Sequence, residues 1–204
     1  MVNAQSRNPG VVNKGTGYFS ISSPEADWND ATVSLDMTHH VCQAAADSPT
    51  VQRLVFATSN HVMGRYKDSG LQPGQLNTDL DAGVGTLWNT GHIDVDSTIY
   101  AVAKFAGERL GKTLGKRTNG QTSFACIRIG WCQPGNNRPE TLSAAGTPTE
   151  TSDTNDPELE HTNHWFKTMW LSNRDFLHLY RKMIVVYLPR TWNRSIRGCP
   201  YSKS

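Results

Sequence analysis

The stretch RLVFATS, Arg53–Ser59, is a short apolar run rich in strand-forming residues, with no alternation of polar and apolar positions. A strand that is apolar on both sides is buried on both sides, the habit of parallel sheets covered by helices. TSFACIRIGW, Thr122–Trp131, reads as a second such strand and IVVYL, Ile184–Leu188, as a third. Helical patterns separate them. Ser23 is placed as an N-cap, with Pro24 at the first helical position and Glu25 and Asp27 in the first turn. Val33, Met37, Val41, Ala44 and Ala45 then recur at helical spacing to about Ala46. A second helix starts near Asp96 or Ser97 and sets Ile99, Val102, Ala106 and Leu110 on one face. A third spans Pro157 to about Trp170, and a fourth runs from near Asn173 to around Lys182. Helices alternating with apolar strands predict an α/β fold: a doubly wound parallel sheet in a three-layer αβα arrangement.

The remaining chain is polar. Residues 1–22 read as an irregular segment, 23–187 as the core domain, and 188–204 as a basic tail with Arg190, Arg194, Arg197 and Lys203 and no acid. Asn60–Val95 and Cys132–Asp156 read as long loops, and loops of that length in a compact domain are usually functional or disordered. Trp88, inside the first, reads as a cover for a sugar or as a surface anchor. A length of 204 residues suits one domain with a real core. A net charge of +2 argues against nucleic acid or a membrane surface as the main partner. MVNAQSRNPG lacks a secretory pattern, and no apolar run nears the ~18 residues of a membrane span. The four cysteines form no C-x-x-C pair. The expectation is a cytoplasmic protein with free thiols and no metal. His39, His40, His161 and His164 read as solvated or packing residues.

Chemistry gathers at two places. Tyr100 and Lys104 stand one helical turn apart on the same side of the second helix. A free tyrosine titrates near ~10, and a neighbouring ammonium favours the phenolate, so such a tyrosine can take a proton from a substrate hydroxyl. Ser59, Asn60 and His61 follow the first strand, and ligands of open parallel sheets bind where the carboxyl ends of strands emerge. GERLGKT, Gly107–Thr113, lacks the glycine spacing of a phosphate-binding P-loop and lies inside a helix. Its glycines read as sites of close packing.

LVFATSNHVMG, STIYAVAKFAGERLG and RIGWCQPGNNRPETL together resemble the extended short-chain dehydrogenase/reductase family, in its NAD-dependent epimerase/dehydratase branch. SNHV and WLSNRDF are most similar to uronate dehydrogenase-like proteins, and the likeness covers about Pro24 to Val186. The resemblance implies a Rossmann-like fold, NAD or NADP as cofactor, a sugar or sugar acid as substrate, and pairing of two copies through helices that include that of Tyr100. It implies that Ser59, Tyr100 and Lys104 are catalytic, Tyr100 as acid/base and Lys104 also holding the nicotinamide ribose. It places Ile129, Gly130 and Trp131 in the turn that passes the nicotinamide. Asn60 and His61 then line the sugar site with Ser59, and Arg138 faces a substrate carboxylate.

The sequence departs from that family at both ends. Gly10, Gly15 and Gly17 have neither the spacing of the glycine-rich phosphate turn nor an apolar strand before them. The resemblance therefore implies a partial fold lacking the N-terminal strands, truncated at both ends. Two readings follow: an NAD(P)-dependent sugar oxidoreductase or epimerase-like protein, and a non-catalytic truncated fragment of that fold acting as a binding or scaffold protein or having no independent activity.

Overall fold

The computed structural model describes residues 24–72, 74–77, 79–90, 94–132, 135–142 and 157–185. In chain order these form α1 (Pro24–Asp47), β1 (Arg53–Ser59), a 3-10 segment (Asn60–Asp68), β2 (Leu87–Asn89) and β3 (Asp94–Asp96). Then come α2 (Thr98–Arg117), β4 (Ser123–Ile129), a 3-10 turn (Pro139–Thr141), α3 (Pro157–Thr168) and α4 (Asn173–Val185). The expected Ser23 cap, the segment 1–22 and the basic tail lie outside the described residues.

β1 and β4 are the two apolar strands read from the sequence, and they pair in parallel, from Arg53 opposite Ser123 to Ser59 opposite Ile129. α2 connects back across this pair. Phe56 and Phe124 face it, and so little space remains that a Cβ at Gly107 would come within 2.8 Å of the Phe56 ring and 3.1 Å of Thr38 on α1. Here the glycine does its work by permitting close approach. Glu108 of α2 fixes the helix along the strands, accepting from Thr58 Oγ1 at 2.9 Å and from Arg128 Nε and Nη2 at 2.9 and 2.8 Å.

Four expectations need correction. IVVYL is not a strand: Ile184 and Val185 are the last residues of α4, and 186–188 lie outside the described residues. A short apolar run does not by itself distinguish a strand from a helix end. Arg53 stabilises the helical ending by donating to the Met183 carbonyl at 2.6 Å, one of the acceptors a helix terminus leaves over. Among the described residues the parallel sheet is therefore a strand pair.

Secondly, Asn60–Val95 is not all loop. It contains the 3-10 segment and β2, which pairs antiparallel with β3 across Trp88 and Val95. Thirdly, Trp88 is buried at 5% exposure, in a cluster with Val95, Trp131, Leu142, Leu159 and Phe166. Fourthly, the large apolar residues of α1 face outward. Val33, Met37 and Val41 are exposed, whereas Ala31, Ser34, Thr38, Cys42 and Ala45 are buried. α1 and α2 pack through small residues, which let two backbones approach and leave no room for larger side chains. α2 repeats the pattern, with Ala101, Gly107, Gly111, Leu114 and Gly115 inside and Val102 outside. Among the described residues no helix is long and apolar enough to cross a membrane.

Candidate functional site

Strand β1 ends at Ser59, whose extended backbone (φ −139°, ψ 148°) turns the chain into the 3-10 segment. Its hydroxyl oxygen accepts from the His61 main-chain N–H at 3.2 Å and donates to Asn60 Oδ1 at 3.3 Å. It is also hydrogen-bonded to the Tyr100 side chain. Ser59 is 4% exposed. The carboxyl end of one strand and the first turns of α2 thus bring a hydroxyl and a phenol together, as the sequence spacing alone does not require.

Lys104 lies one turn further along α2. Its ammonium is 5.6 Å from the centre of the Tyr100 ring and 5.5 Å from that of Phe56, within the range of cation–π attraction. Burial lowers its pKa from the usual lysine value. Among the described residues this ammonium makes no hydrogen bond or ion pair.

The expected activation of Tyr100 by that ammonium is not the dominant influence here. Burial raises the Tyr100 pKa above the ordinary tyrosine value, and the hydrogen bond with Ser59 works in the opposite direction. Desolvation penalises the phenolate more than the hydrogen bond with Ser59 favours it. Near neutral pH Tyr100 is a protonated phenol.

His61 is enclosed, at 2% exposure. Its Nδ1 lies 2.8 Å from both Thr86 Oγ1 and Ser97 Oγ. Its ring stacks on Trp88 with centres 5.8 Å apart and meets Tyr100 edge-on at 5.9 Å. Burial lowers its pKa to about 3. From Trp88 the contacts continue to Phe166 at 5.4 Å and from Phe166 to Trp131 at 4.7 Å. A line of rings therefore joins Tyr100 to the segment that follows β4.

That segment carries the residues expected at the nicotinamide turn. Ile129 pairs with Ser59 across the sheet. A Cβ at Gly130 would strike the Met169 carbonyl, so glycine is required by proximity. Trp131 is buried, donating its N–H to Met169 O at 2.6 Å and accepting from Leu171 N at 2.8 Å. Asn60 stays beside Ser59 and is half-buried. Arg138 is exposed at the edge of a cavity of about 530 Å³, lined also by Asn137, Glu140 and Trp170. No hydrogen bond or ion pair among the described residues joins its guanidinium to Ser59, Tyr100 or Lys104.

Sequence reading does not find Thr86 and takes Ser97 only as a helix start. Thr86 lies eleven positions before Ser97 in a polar stretch without periodicity. Only the turn that lays residues 83–86 against the 3-10 segment reveals it, with Gly85 N donating to His61 O at 2.9 Å.

Fold and site together define an α/β protein with a small parallel sheet whose strand ends gather a serine, a tyrosine and a lysine. Among curated proteins the chain is similar to an L-arabinose 1-dehydrogenase (NAD(P)(+)) of Haloferax volcanii, 29% identical over 169 residues. The match covers 82% of this chain and 58% of that protein. At the coarse level the likeness is to a sugar dehydrogenase. No protein-family model matches the chain, and no solved structure matches it.

Proposed function

We propose that this chain carries the proton-transfer part of an NAD(P)-dependent sugar oxidoreductase on a partial Rossmann-like fold, with Ser59, Tyr100 and Lys104 as its catalytic set. The observation that carries the reading is the hydrogen bond between Ser59, at the end of a parallel strand, and Tyr100, one turn before Lys104. The likeness to an arabinose dehydrogenase supports the same reaction class.

The residues present fit the hydroxyl-bearing, nicotinamide end of such a cofactor. Lys104 offers an ammonium without a protein acceptor among the described residues, and Tyr100 offers a phenol beside it. Ile129 lies opposite Ser59 at the end of the neighbouring strand, and Gly130 follows it. A bound nicotinamide supplies the group that accepts or gives hydride. The protein's own residues handle the proton. In carbonyl reduction the neutral Tyr100 O–H donates its proton to the carbonyl oxygen, and Ser59 Oγ–H orients that oxygen. In alcohol oxidation the Tyr100 oxygen takes the hydroxyl proton, and the phenolate is favoured by Ser59 and by the Lys104 ammonium. Asn60 extends the wall beside Ser59, whereas the expected sugar contact of His61 does not fit its enclosed ring. Arg138 suits a sugar acid because a guanidinium can bind a carboxylate through two parallel hydrogen bonds. Pairing of two copies through the exposed apolar residues of α1 and α2 belongs to the same reading.

Calorimetry of the purified chain with NAD and with NADP is the first test, and no binding at millimolar cofactor rejects the reading in favour of a non-catalytic binding protein. Where binding is found, Tyr100→Phe is expected to cut sugar-dependent NADH or NADPH formation by about 10²–10⁴-fold, the usual share of general acid–base catalysis. Cofactor affinity should stay the same. Undiminished turnover in that variant removes Tyr100 from its role.

A further inference from the structure

We propose that His61 is a positioning residue for the Ser59–Tyr100 pair, its imidazole fixed by the hydroxyls of Thr86 and Ser97. The inference rests on the catalytic reading above and assigns His61 a task other than substrate contact.

An imidazole enclosed at 2% exposure is costly to bury unless its polar atoms are bonded. Here two hydroxyls from different parts of the chain converge on the same nitrogen, each at 2.8 Å. Ser97 shows that this arrangement takes precedence over a local one. It occupies the N-cap position of α2, where a serine hydroxyl normally bonds the helix's first free N–H groups, yet it makes no capping bond. Asp96 makes that bond instead, accepting from Thr98 N at 2.8 Å. The Ser97 hydroxyl accepts from Thr86 N at 2.8 Å and meets His61. Thr86 is packed closely against Gly64, where a Cβ would collide with its Oγ1 and with the Gly85 carbonyl.

What His61 then holds is the candidate catalytic pair: its main-chain N–H donates to Ser59 Oγ, and its imidazole packs against the Tyr100 ring in a T-shaped contact. One residue thus touches both partners of the Ser59–Tyr100 bond, while its other face is set by Trp88. The ring is uncharged near neutral pH because burial disfavours the imidazolium, so it acts by place and not by proton exchange. Among the described residues His61 from the 3-10 segment and Lys104 from α2 are titratable groups against Tyr100, and the variants below leave both in place.

The test pairs Thr86→Val, which removes the hydroxyl with little change of shape, with Thr86→Ser, which restores it. The first readout needs neither cofactor nor substrate: the NMR signal of the Tyr100 ring in protein carrying ¹³C-labelled tyrosine, assigned by its loss in Tyr100→Phe. The signal should move or broaden in Thr86→Val and return in Thr86→Ser. The second readout is turnover, where kcat should fall about tenfold in Thr86→Val with KM unchanged, as misplacement of a reacting group does, and recover in Thr86→Ser. An unmoved Tyr100 signal in a folded Thr86→Val protein overturns the proposal, as does a loss of thermal stability with no movement of the signal. If Thr86→Val does not fold, Ser97→Ala removes the other hydroxyl without uncapping α2, and an unmoved signal there overturns it equally. A chain that binds no nicotinamide rejects the catalytic reading, while the Tyr100 signal still decides whether His61 holds that ring.

Discussion

Two regions of this molecule are built on opposite rules. Where α1 and α2 pack, the buried positions are small: Ala31, Ser34, Thr38, Cys42 and Ala45 on one helix, and Ala101, Gly107, Gly111 and Gly115 beside Leu114 on the other. The second region, around β2, β3 and α3, is filled by rings, with Trp88, Trp131 and Phe166 in edge-to-face contact. The first achieves close approach by omitting side chains, and the second by interlocking large ones. The site lies on the seam. Ser59, Tyr100 and Lys104 belong to the small-residue side, and His61 reaches from them to Trp88 on the aromatic side. The difference teaches that the candidate catalytic geometry depends on both regions, so a disturbance in either should be felt at Tyr100.

A large effect should come from titrating the seam itself. His61 titrates at about 3 in the folded protein, against an ordinary 6.5. Between those values the unfolded chain binds the extra proton, so folding stability declines as pH falls below 6.5 and this contribution levels off near 3. At about 1.4 kcal/mol per pH unit the loss amounts to roughly 3 kcal/mol by about pH 4.5. Urea unfolding at neutral and acid pH measures it. His61→Asn keeps a polar atom near the position of Nδ1 but carries no titrating group, so its stability should decline much less over the same interval. Equal decline in both proteins would place the acid sensitivity elsewhere.

The aromatic region can be broken separately. Phe166 is fully buried and contacts Trp88 on one side and Trp131 on the other. Phe166→Ala leaves a cavity between two indoles and is expected to cost about 3–5 kcal/mol in denaturant unfolding. A loss below about 1 kcal/mol would mean that the rings do not form a core in the sense used here.

How much of this could be read from the sequence follows the same division. Strand β1 has the bounds its apolar run announces, and β4 lies within the run read for it. The burial on both faces that such runs predict is not met: only Thr58, Ser59 and Ala125 are buried, and Arg128 is exposed. α1 starts at Pro24, where the N-cap pattern puts it. The inward faces of α1 and α2 were not legible. Hydrophobic periodicity assumes that large apolar residues face the core, and here Val33, Met37, Val41 and Val102 do not. The glycines of α2 were the better signal, since only a close neighbour explains them in a helix. β2 and β3 are three residues each, too short for any alternation to register. At the site, Tyr100 and Lys104 show in the spacing, and Ser59 at a strand end. Thr86 and Ser97 act through a fold of the chain that no local pattern encodes.

The outward face of the small-residue region gives the last and smallest effect on folding. Val33 is 59% exposed, Val41 45% and Val102 49%, with Met37 between them on α1. Apolar side chains grouped on one side of a helix pair mark an interaction surface more often than scattered ones do. Two copies meeting through the same face would make a self-complementary contact, in which each mutation counts twice. Val41→Glu lies outside the packed interface of α1 with α2, so unfolding free energy should change by no more than about 0.5 kcal/mol. Sedimentation velocity should then show the wild-type chain as a dimer and Val41→Glu as a monomer. A wild-type chain that sediments as a monomer at high concentration would reject the pairing. A Val41→Glu protein that unfolds easily would show that this face is part of the core after all, and the contrast between the two regions would be drawn in the wrong place.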